Sequence, residues 1–341
     1  MKYSFIIPLY NTKISDIENC IKSIVNQDIK DYEIIAVNDG STDIELNDYC
    51  EKNLKNRENI KYFFEKNSGS AVARNLGLRY VTGDYIVFVD ADDELEFHFF
   101  KHISDIKMGE ITVFDYCYVN NESNIRYSLN KNMNLYEYKN DIYANICFYP
   151  GMMQDFMFGS IWGKIFSTKF IKENKISFVS RLRKAQDRVF MLHSLGKTND
   201  IKYYPELMYK YKLNKKSITH KMNLKMKEYY YYLYEEMMNF NIDNKLKENI
   251  RKFLSYNLLN ELLLLTIFNL DYKKKYKEIR KELTDLLKKY NVNESISKIK
   301  YNEVPTKKGR IKIFLYKHKL YYLLYKVISF MQKRERKKLI K

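Results

Sequence analysis

The chain has 341 residues, 45% hydrophobic and 30% charged, which is length enough for about two domains with buried cores. No stretch reaches the about eighteen uninterrupted apolar residues of a membrane span, and Cys20, Cys50, Cys117 and Cys147 are too scattered for a disulfide framework or a zinc site. The formal charge of +18 invites a nucleic-acid partner, but residues 307–341 hold 13 Lys and Arg against the single Glu335, two-thirds of the excess, and no zinc-finger, RRM or KH signature accompanies them, so no nucleic acid is expected.

Met1-Lys2-Tyr3 leads straight into a strand pattern without a signal peptide, and a cytosolic protein is the expectation. Ser4-Phe5-Ile6-Ile7-Pro8 is a short apolar run halted by proline, with Leu9-Tyr10-Asn11-Thr12 as its loop. Ile14, Ile17, Ile21, Ile24 and Val25 then recur at helical spacing. Tyr32-Glu33-Ile34-Ile35-Ala36-Val37 is the next strand and empties into Asn38-Asp39-Gly40-Ser41-Thr42-Asp43. Ile60-Lys61-Tyr62-Phe63-Phe64 is the third, followed by Asn67-Ser68-Gly69-Ser70 and a helix with Ala73, Arg74, Asn75 and Leu76. The fourth runs through residues 83–95, from a Gly83-Asp84 turn into Asp90-Ala91-Asp92-Asp93. Strands alternating with helices predict an α/β fold with a mostly parallel sheet, whose right-handed crossovers bring the four polar ends to one edge.

Carboxylates gathered at a strand end repel one another unless a cation or several donors intervene, and Mn2+ or Mg2+ is the natural partner of such oxygen ligands. A solvated acidic turn that caps the next helix is the alternative. A nucleotide would use the four loops in distinct ways. Tyr10 offers an aromatic face, Asp39 accepts from an imide N–H, Arg74 meets a diphosphate, and Asp90 and Asp92 hold ribose and metal. Taken singly, Tyr10 also reads as a core tyrosine, Asp39 and Asp43 as helix caps, and Arg74 as a surface ion pair. Their placement at successive strand ends is what favours a site.

Phe5-Ile6-Ile7-Pro8-Leu9-Tyr10-Asn11, Asn38-Asp39-Gly40-Ser41-Thr42-Asp43, Asn67-Ser68-Gly69 with Ala73-Arg74-Asn75-Leu76-Gly77, and Asp90-Ala91-Asp92-Asp93 resemble, in order, the motifs of the family 2 glycosyltransferases. The resemblance covers about the first 220 residues. It implies a GT-A fold, a Rossmann-like, mostly parallel sheet flanked by helices, with a nucleotide-diphosphate sugar donor, Mn2+ or Mg2+, and inversion at the anomeric carbon. By that resemblance Pro8, Tyr10, Asn11, Asp39, Asn67, Gly69, Arg74, Asp90, Ala91 and Asp92 bind the nucleotide sugar, and Asp92 and Asp90 hold the metal. Asn38 departs from the more usual Asp-Asp-Gly-Ser. No G-x-G-x-x-G follows the first strand, and residues 159–165 have neither the length nor the hydroxyl of a P-loop. His98 and His102 read as helix surface rather than metal ligands, with no third ligand in view.

Further on, Ile111 to Val119 reads as a strand, residues 120–149 as loop and helix, and Ser160 to Phe166 as an apolar segment around the only tryptophan. Trp162-Gly163-Lys164 resembles the Trp-x-Lys segment of bacterial members. Trp162 is an acceptor candidate that stacks on a sugar or else packs in the core, and Asp93 is the other acceptor candidate. Ala185-Gln186-Asp187-Arg188 resembles the family's Glu-Asp motif with glutamine in first place. Asp187 is the candidate catalytic base, with an N-cap of a helix over Val189–Leu195 as the alternative. No Gln-x-x-Arg-Trp segment exists, which points to one sugar per encounter rather than a polymerase. Tyr209-Lys210-Tyr211 and Ser217-Ile218-Thr219 resemble the segment that closes the catalytic domain of bacterial capsule and cell-wall enzymes.

From Leu224 to Tyr290 the pattern turns helical, with Leu258, Leu259, Leu262, Leu263, Leu265, Ile267 and Phe268 on one strongly apolar helix that serves as a partner helix or a substrate-docking surface. Lys312, Lys319, Lys326 and Lys333 recur every seven residues among apolar and aromatic neighbours, and predict one basic amphipathic helix over residues 307–341 that lies on an anionic membrane surface or docks on the protein. The expected organisation is a GT-A catalytic domain over residues 1–222 (a nucleotide-sugar half, 1–119, and an acceptor half, 120–222), a helical appendage over 223–306, and the tail. The expected function is a hexosyl- or N-acetylhexosaminyltransferase, peripheral on the inner face of the cytoplasmic membrane. It passes a sugar from a UDP-linked donor to a glycan or lipid-linked acceptor. A membrane-tethered nucleotide-sugar binding protein without turnover is the alternative.

Overall fold

The computed structural model describes residues 1–120, 123–147, 155–213, 223–238, 244–304 and 306–339. The chain divides into two compact units, residues 1–142 with 155–215 and residues 143–154 with 216–341. The first opens with β1 (Tyr3–Leu9), α1 (Ile14–Val25), β2 (Tyr32–Asp39), α2 (Ile44–Tyr49), β3 (Ile60–Glu65), α3 (Ser70–Arg79) and β4 (Tyr85–Phe88), the alternation the sequence predicts. There follow β5 (Glu94–Leu95), α4 (Phe99–His102), β6 (Ile111–Val119), β7 (Asn124–Tyr127), β8 (Met133–Asn134), α5 (Lys139–Ile146), β9 (Lys164–Ser167), α6 (Thr168–Glu173), α7 (Gln186–Lys197) and β10 (Ile201–Lys212).

The sheet runs β3-β2-β1-β4-β9-β6-β10-β5, with the first four strands mutually parallel and β9 antiparallel to both β4 and β6. β1 and β2 are buried along almost their whole length, which is why they read as continuous apolar runs rather than alternations. Because β2 and β4 flank β1, their carboxyl ends border a topological switch point, the place where open α/β sheets bind ligands. β4 is shorter than its apolar run: its pairing with β1 ends at Ile6, where the Val89 N–H closes the ladder on the Ile6 carbonyl at 3.1 Å. Residues two apart in a strand point their N–H groups to the same side, so Pro8 faces the gap where β4 has left and forfeits no ladder bond.

Packing fixes this edge from beneath. α1 buries Ile17, Cys20, Ile21 and Ile24 on one face, and α3 lies so close on β1 that a Cβ on Gly77 would stand 2.6 Å from Ile6 Cγ2. Phe88, Phe166, Phe178 and Phe190 form a buried aromatic cluster, with Phe178 and Phe190 stacked at 4.2 Å, and each contributes about 2 kcal/mol by burial. At the amino ends of the strands Glu33 accepts from Ser4 Oγ (2.6 Å) and the Thr82 N–H (2.7 Å) and pairs with Lys61 at 2.6 Å. Burial alone would raise its pKa, but Lys61 and these donors outweigh it and bring it down to about 2. Its folded value being depressed, the stabilisation is present above the ordinary glutamate range and is lost as pH falls through about 2. All four cysteines are free and buried, as packing residues.

The second unit is helical: α8 (Met226–Met238), α9 (Asn244–Leu265), α10 (Tyr276–Lys289), α11 (Val292–Lys298), α12 (Lys307–Lys317) and α13 (Tyr321–Leu339). α9 buries Leu258, Leu259, Leu262 and Leu263, and stops at Leu265 rather than carrying on through Phe268. The single tail helix of the sequence reading is corrected to two. Lys319 adopts a left-handed φ of 55°, its N–H bonds the Tyr316 carbonyl (3.0 Å) and that of Leu320 bonds the Leu315 carbonyl (2.9 Å), a Schellman turn that ends α12. A lysine where glycine is usual hid that break from the heptad pattern. Ile313, Leu315, Tyr316, Leu324 and Ile328 are buried, whereas Ile311, Phe314, Leu320, Tyr322, Leu323 and Phe330 are exposed. Among the described residues no helix is long and apolar enough to cross a membrane.

Candidate active site

The loops at the carboxyl ends of β1, β2 and β3 are laced together. Asn11, at a left-handed φ of 47°, accepts from the Thr42 N–H at 2.8 Å through its side chain and donates its own N–H to Ser41 Oγ at 3.0 Å. Asn38 is fully buried, accepting from the Ser41 N–H (2.9 Å) and donating to Asn47 (3.0 Å) and Tyr62 (3.1 Å), so this departure from the usual motif serves the turn itself. Asp39 is buried and accepts from the backbone N–H of Ser68 (2.6 Å) and Gly69 (2.8 Å), which ties the β2 loop to the β3 loop. Tyr10 is exposed beside these loops, as is Asn67. Gly69 has φ 94° and lies under Arg183, whose guanidinium would collide with any Cβ there.

Four contacts lay the segment that enters α7 along α3. Asn75 holds Phe178 reciprocally (2.8 Å each way), Gln186 bonds Ser70, Arg183 covers Gly69, and Arg74 reaches Asp187. Arg74 is the centre of this arrangement. Its side chain is 6% exposed and is shared between Asp90 (2.6 Å) and Asp187 (3.0 Å). Burial works against its charge, but Asp187 and Asp90 outweigh burial and keep its pKa above the usual value. Asp187 stands one position inside α7, whose N-cap is Ala185, so it is not the cap. Burial pushes its carboxyl above the ordinary range, with Arg74 and Lys164 pulling it down and Asp90 pushing it further up.

The acidic turn is anchored by β10. Asp90 donates its N–H to the Tyr209 hydroxyl (3.0 Å), which in turn donates to Asp93 (2.8 Å), and the Lys212 N–H supplies Asp93's other oxygen (2.8 Å). Asp93 is 1% exposed, and burial, then Asp90, push its carboxyl up to about 8. The acceptor candidate Asp93 is thereby placed inside the turn, holding it, while Asp90 and Asp92 keep partial exposure and Ala91 is buried between them. Among the described residues no group of three or more His, Cys, Asp or Glu gathers into a closed metal cage. Asp90 and Asp92 do fit a divalent cation chemically, since Mn2+ or Mg2+ takes hard oxygen donors from one or two carboxylates and completes its shell with water and substrate phosphates. His98 pairs with Asp28 and stands apart from them.

Trp162 is buried and stacks between Tyr209 (5.0 Å) and Tyr211 (5.4 Å). Lys164, two residues on, is 1% exposed with its ammonium on Ser160 Oγ at 3.1 Å, and burial lowers its pKa to about 7 against the pull of Asp187. The sequence reading quoted Lys164 and Tyr209 inside motifs without giving them roles, and it passed over Arg183. Arg181-Leu182-Arg183-Lys184, a basic run directly before the Asp187 motif, was the signal available. Ser217-Ile218-Thr219 lie outside the described residues.

Residues 4–163 match the family model of glycosyl transferase family 2. The chain is 27% identical over 230 residues to glycosyltransferase GlyA of Streptococcus pneumoniae, covering 64% of this chain and 31% of that protein. It is 30% identical over 223 residues to the poly(ribitol-phosphate) beta-glucosyltransferase of Bacillus spizizenii, covering 62% and 32%. The chain thus spans less than a third of the length of both relatives. In fold it is similar to residues 1–349 of S. aureus TarS, with TM-score 0.64 and 20% identity over 98% of this chain and 92% of that one, and to the same protein in complex with UDP-GlcNAc, with TM-score 0.62. Residues 4–163 thus resemble a glycosyltransferase family 2 domain, and the unit that holds them has a GT-A fold.

Proposed function

We propose that the protein is an inverting, non-processive glycosyltransferase that moves one sugar from a nucleotide-diphosphate donor, UDP-linked, to a glycan or lipid-linked acceptor in cell-surface polysaccharide assembly. The observation that carries the reading is the Asp187–Arg74–Asp90 bridge, which holds a carboxylate with a raised pKa against the acidic turn at the switch point of the sheet. The relatives' names support the class of acceptor, and the UDP-GlcNAc complex of a protein of the same fold supports the donor. In the step itself the acceptor oxygen bonds to C1 as the C1–O bond to the diphosphate breaks. The hydroxyl proton passes to Asp187 and the bonding electron pair leaves on the diphosphate, a single displacement that inverts C1. Tyr10 and Asp39 receive the base, and Asp90 and Asp92 hold the ribose and the metal. When bound, Mn2+ or Mg2+ neutralises charge on the diphosphate.

Calorimetric titration with UDP-glucose and UDP-N-acetylglucosamine, with and without Mn2+, tests the donor side. Asp92→Asn is expected to abolish the Mn2+-dependent part of donor binding with an unchanged melting temperature. Unchanged donor affinity in Mn2+ would remove Asp92 from the metal site.

The tail supports a peripheral location on the inner face of the cytoplasmic membrane. Exposed Ile311, Phe314, Leu320, Tyr322, Leu323 and Phe330 are interspersed with lysines whose heads snorkel, and each basic residue near anionic lipid contributes about 1 kcal/mol. Vesicles containing phosphatidylserine are expected to sediment the protein at low salt, and less of it as salt rises. Sedimentation that is indifferent both to anionic lipid and to the substitution of Lys319, Lys326 and Lys333 by Glu would exclude this anchor.

A further inference from the structure

A cleft of about 370 Å³ opens beside the carboxylate of Asp187, lined by Tyr118, Met157, Gly159, Ser160, Trp162, Ala185, Asp187, Arg188, Tyr211 and Leu213. All of these belong to the first unit. One wall is a run of rings: Tyr209 stacks on Trp162 (5.0 Å, 12° between planes), Trp162 on Tyr211 (5.4 Å, 29°), and Tyr211 meets Tyr118 at 5.3 Å. Trp162 is the buried middle of this ladder, so Tyr211 and Tyr118, both half-buried, are the members that a ligand reaches.

We infer that this cleft is the acceptor subsite and that it takes a neutral pyranose ring, laid with its C–H face on Tyr211 and Tyr118 and one hydroxyl directed to Asp187. This rests on the transferase reading above. The chemistry of the wall selects the ring. A pyranose presents an apolar C–H face rimmed by hydroxyls, and an aromatic side chain offers a flat apolar body with a polar tip. Both tips are available here. Among the described residues the Tyr211 hydroxyl makes no hydrogen bond, and that of Tyr118 has only the weak acceptor Met157 Sδ, at 3.7 Å. Ser160 and Lys164, by contrast, are spent on each other and on nearby carbonyls, which leaves the floor of the cleft rigid rather than reactive. The aromatic wall and the base therefore share one cavity, and a ring seated on the first places a hydroxyl at the second.

The molecule carries its own reporter, because Trp162 is the only tryptophan and packs directly behind Tyr211. The test titrates the full-length protein with cellobiose, maltose and N,N′-diacetylchitobiose while tryptophan emission is followed, with calorimetric donor binding measured in parallel. At least one disaccharide is expected to change the emission saturably. Tyr211→Ala should weaken that response about tenfold, Tyr211→Phe should retain it because the ring and not the hydroxyl is the platform, and neither should move donor affinity. In a transfer assay Tyr211→Ala should raise the acceptor KM by a similar factor and leave the donor KM unchanged. Emission that no disaccharide changes, or a response indifferent to Tyr211→Ala, with donor binding intact, overturns the subsite alone. A wild-type protein that binds neither UDP-glucose nor UDP-N-acetylglucosamine overturns the transferase reading and the subsite with it.

Discussion

Asp187→Asn is expected to cut sugar transfer at least ~10²-fold while donor affinity stays near that of the wild type, the pattern of a lost general base. The substitution keeps the shape of the side chain and its oxygen toward Arg74 but removes the group that takes the acceptor proton. The pH profile carries an independent signature. Burial holds the Asp187 pKa above the ordinary carboxylate range, and the base works only when ionised. Activity should therefore rise with pH along an acid limb displaced upward from the ~3.9 of a free aspartate. Transfer at near wild-type rate by the Asp187→Asn variant would move the role to another residue.

Arg74→Met is expected to cost roughly 3 kcal/mol of stability, read as a lower urea midpoint. The guanidinium is 6% exposed and answers two carboxylates, so its removal leaves Asp90 and Asp187 facing each other without the cation that bridges them. Both carboxylates keep about a quarter of their surface in water, 29% and 26%, and can partly rehydrate, which places the cost at the lower end of the range for broken buried pairs. Arg74→Met combined with Asp187→Asn should recover part of the loss, because one of the two stranded charges is gone. Equal destabilisation in the single and double variants would show that the arginine acts through packing on Phe178, 5.6 Å away, rather than through charge.

The parallel half of the sheet was legible because β1 and β2 are buried, β3 starts from buried Ile60, and each of these strands is bounded by polar turns and lies within a residue or two of its apolar run. β4 was not bounded so well. Val89 is fully buried and apolar, but its N–H makes the last bond of the ladder to β1, and hydropathy does not register that the pairing ends there. Asp90 and Asp187 stand out in the sequence as single residues, whereas the Arg74 bridge between them does not. Arg74 and Asp187 are 113 positions apart, beyond the reach of any local pattern. The Asp93–Tyr209 hydrogen bond spans 116 positions and was hidden for the same reason. In the tail the heptad of lysines ran unbroken through Lys319, so periodicity joined two helices that a backbone turn separates.

Sugar transfer with Asp187 as its base is measured most directly as release of UDP from UDP-glucose and UDP-N-acetylglucosamine in Mn2+, with and without isolated bacterial wall glycan, for the wild type and Asp187→Asn. Glycan is expected to accelerate release by the wild type and to do nothing for the variant, although both bind donor. A wild-type protein that binds donor and releases UDP at the same rate whether or not glycan is present would contradict sugar transfer, and would leave a nucleotide-sugar binding protein without turnover.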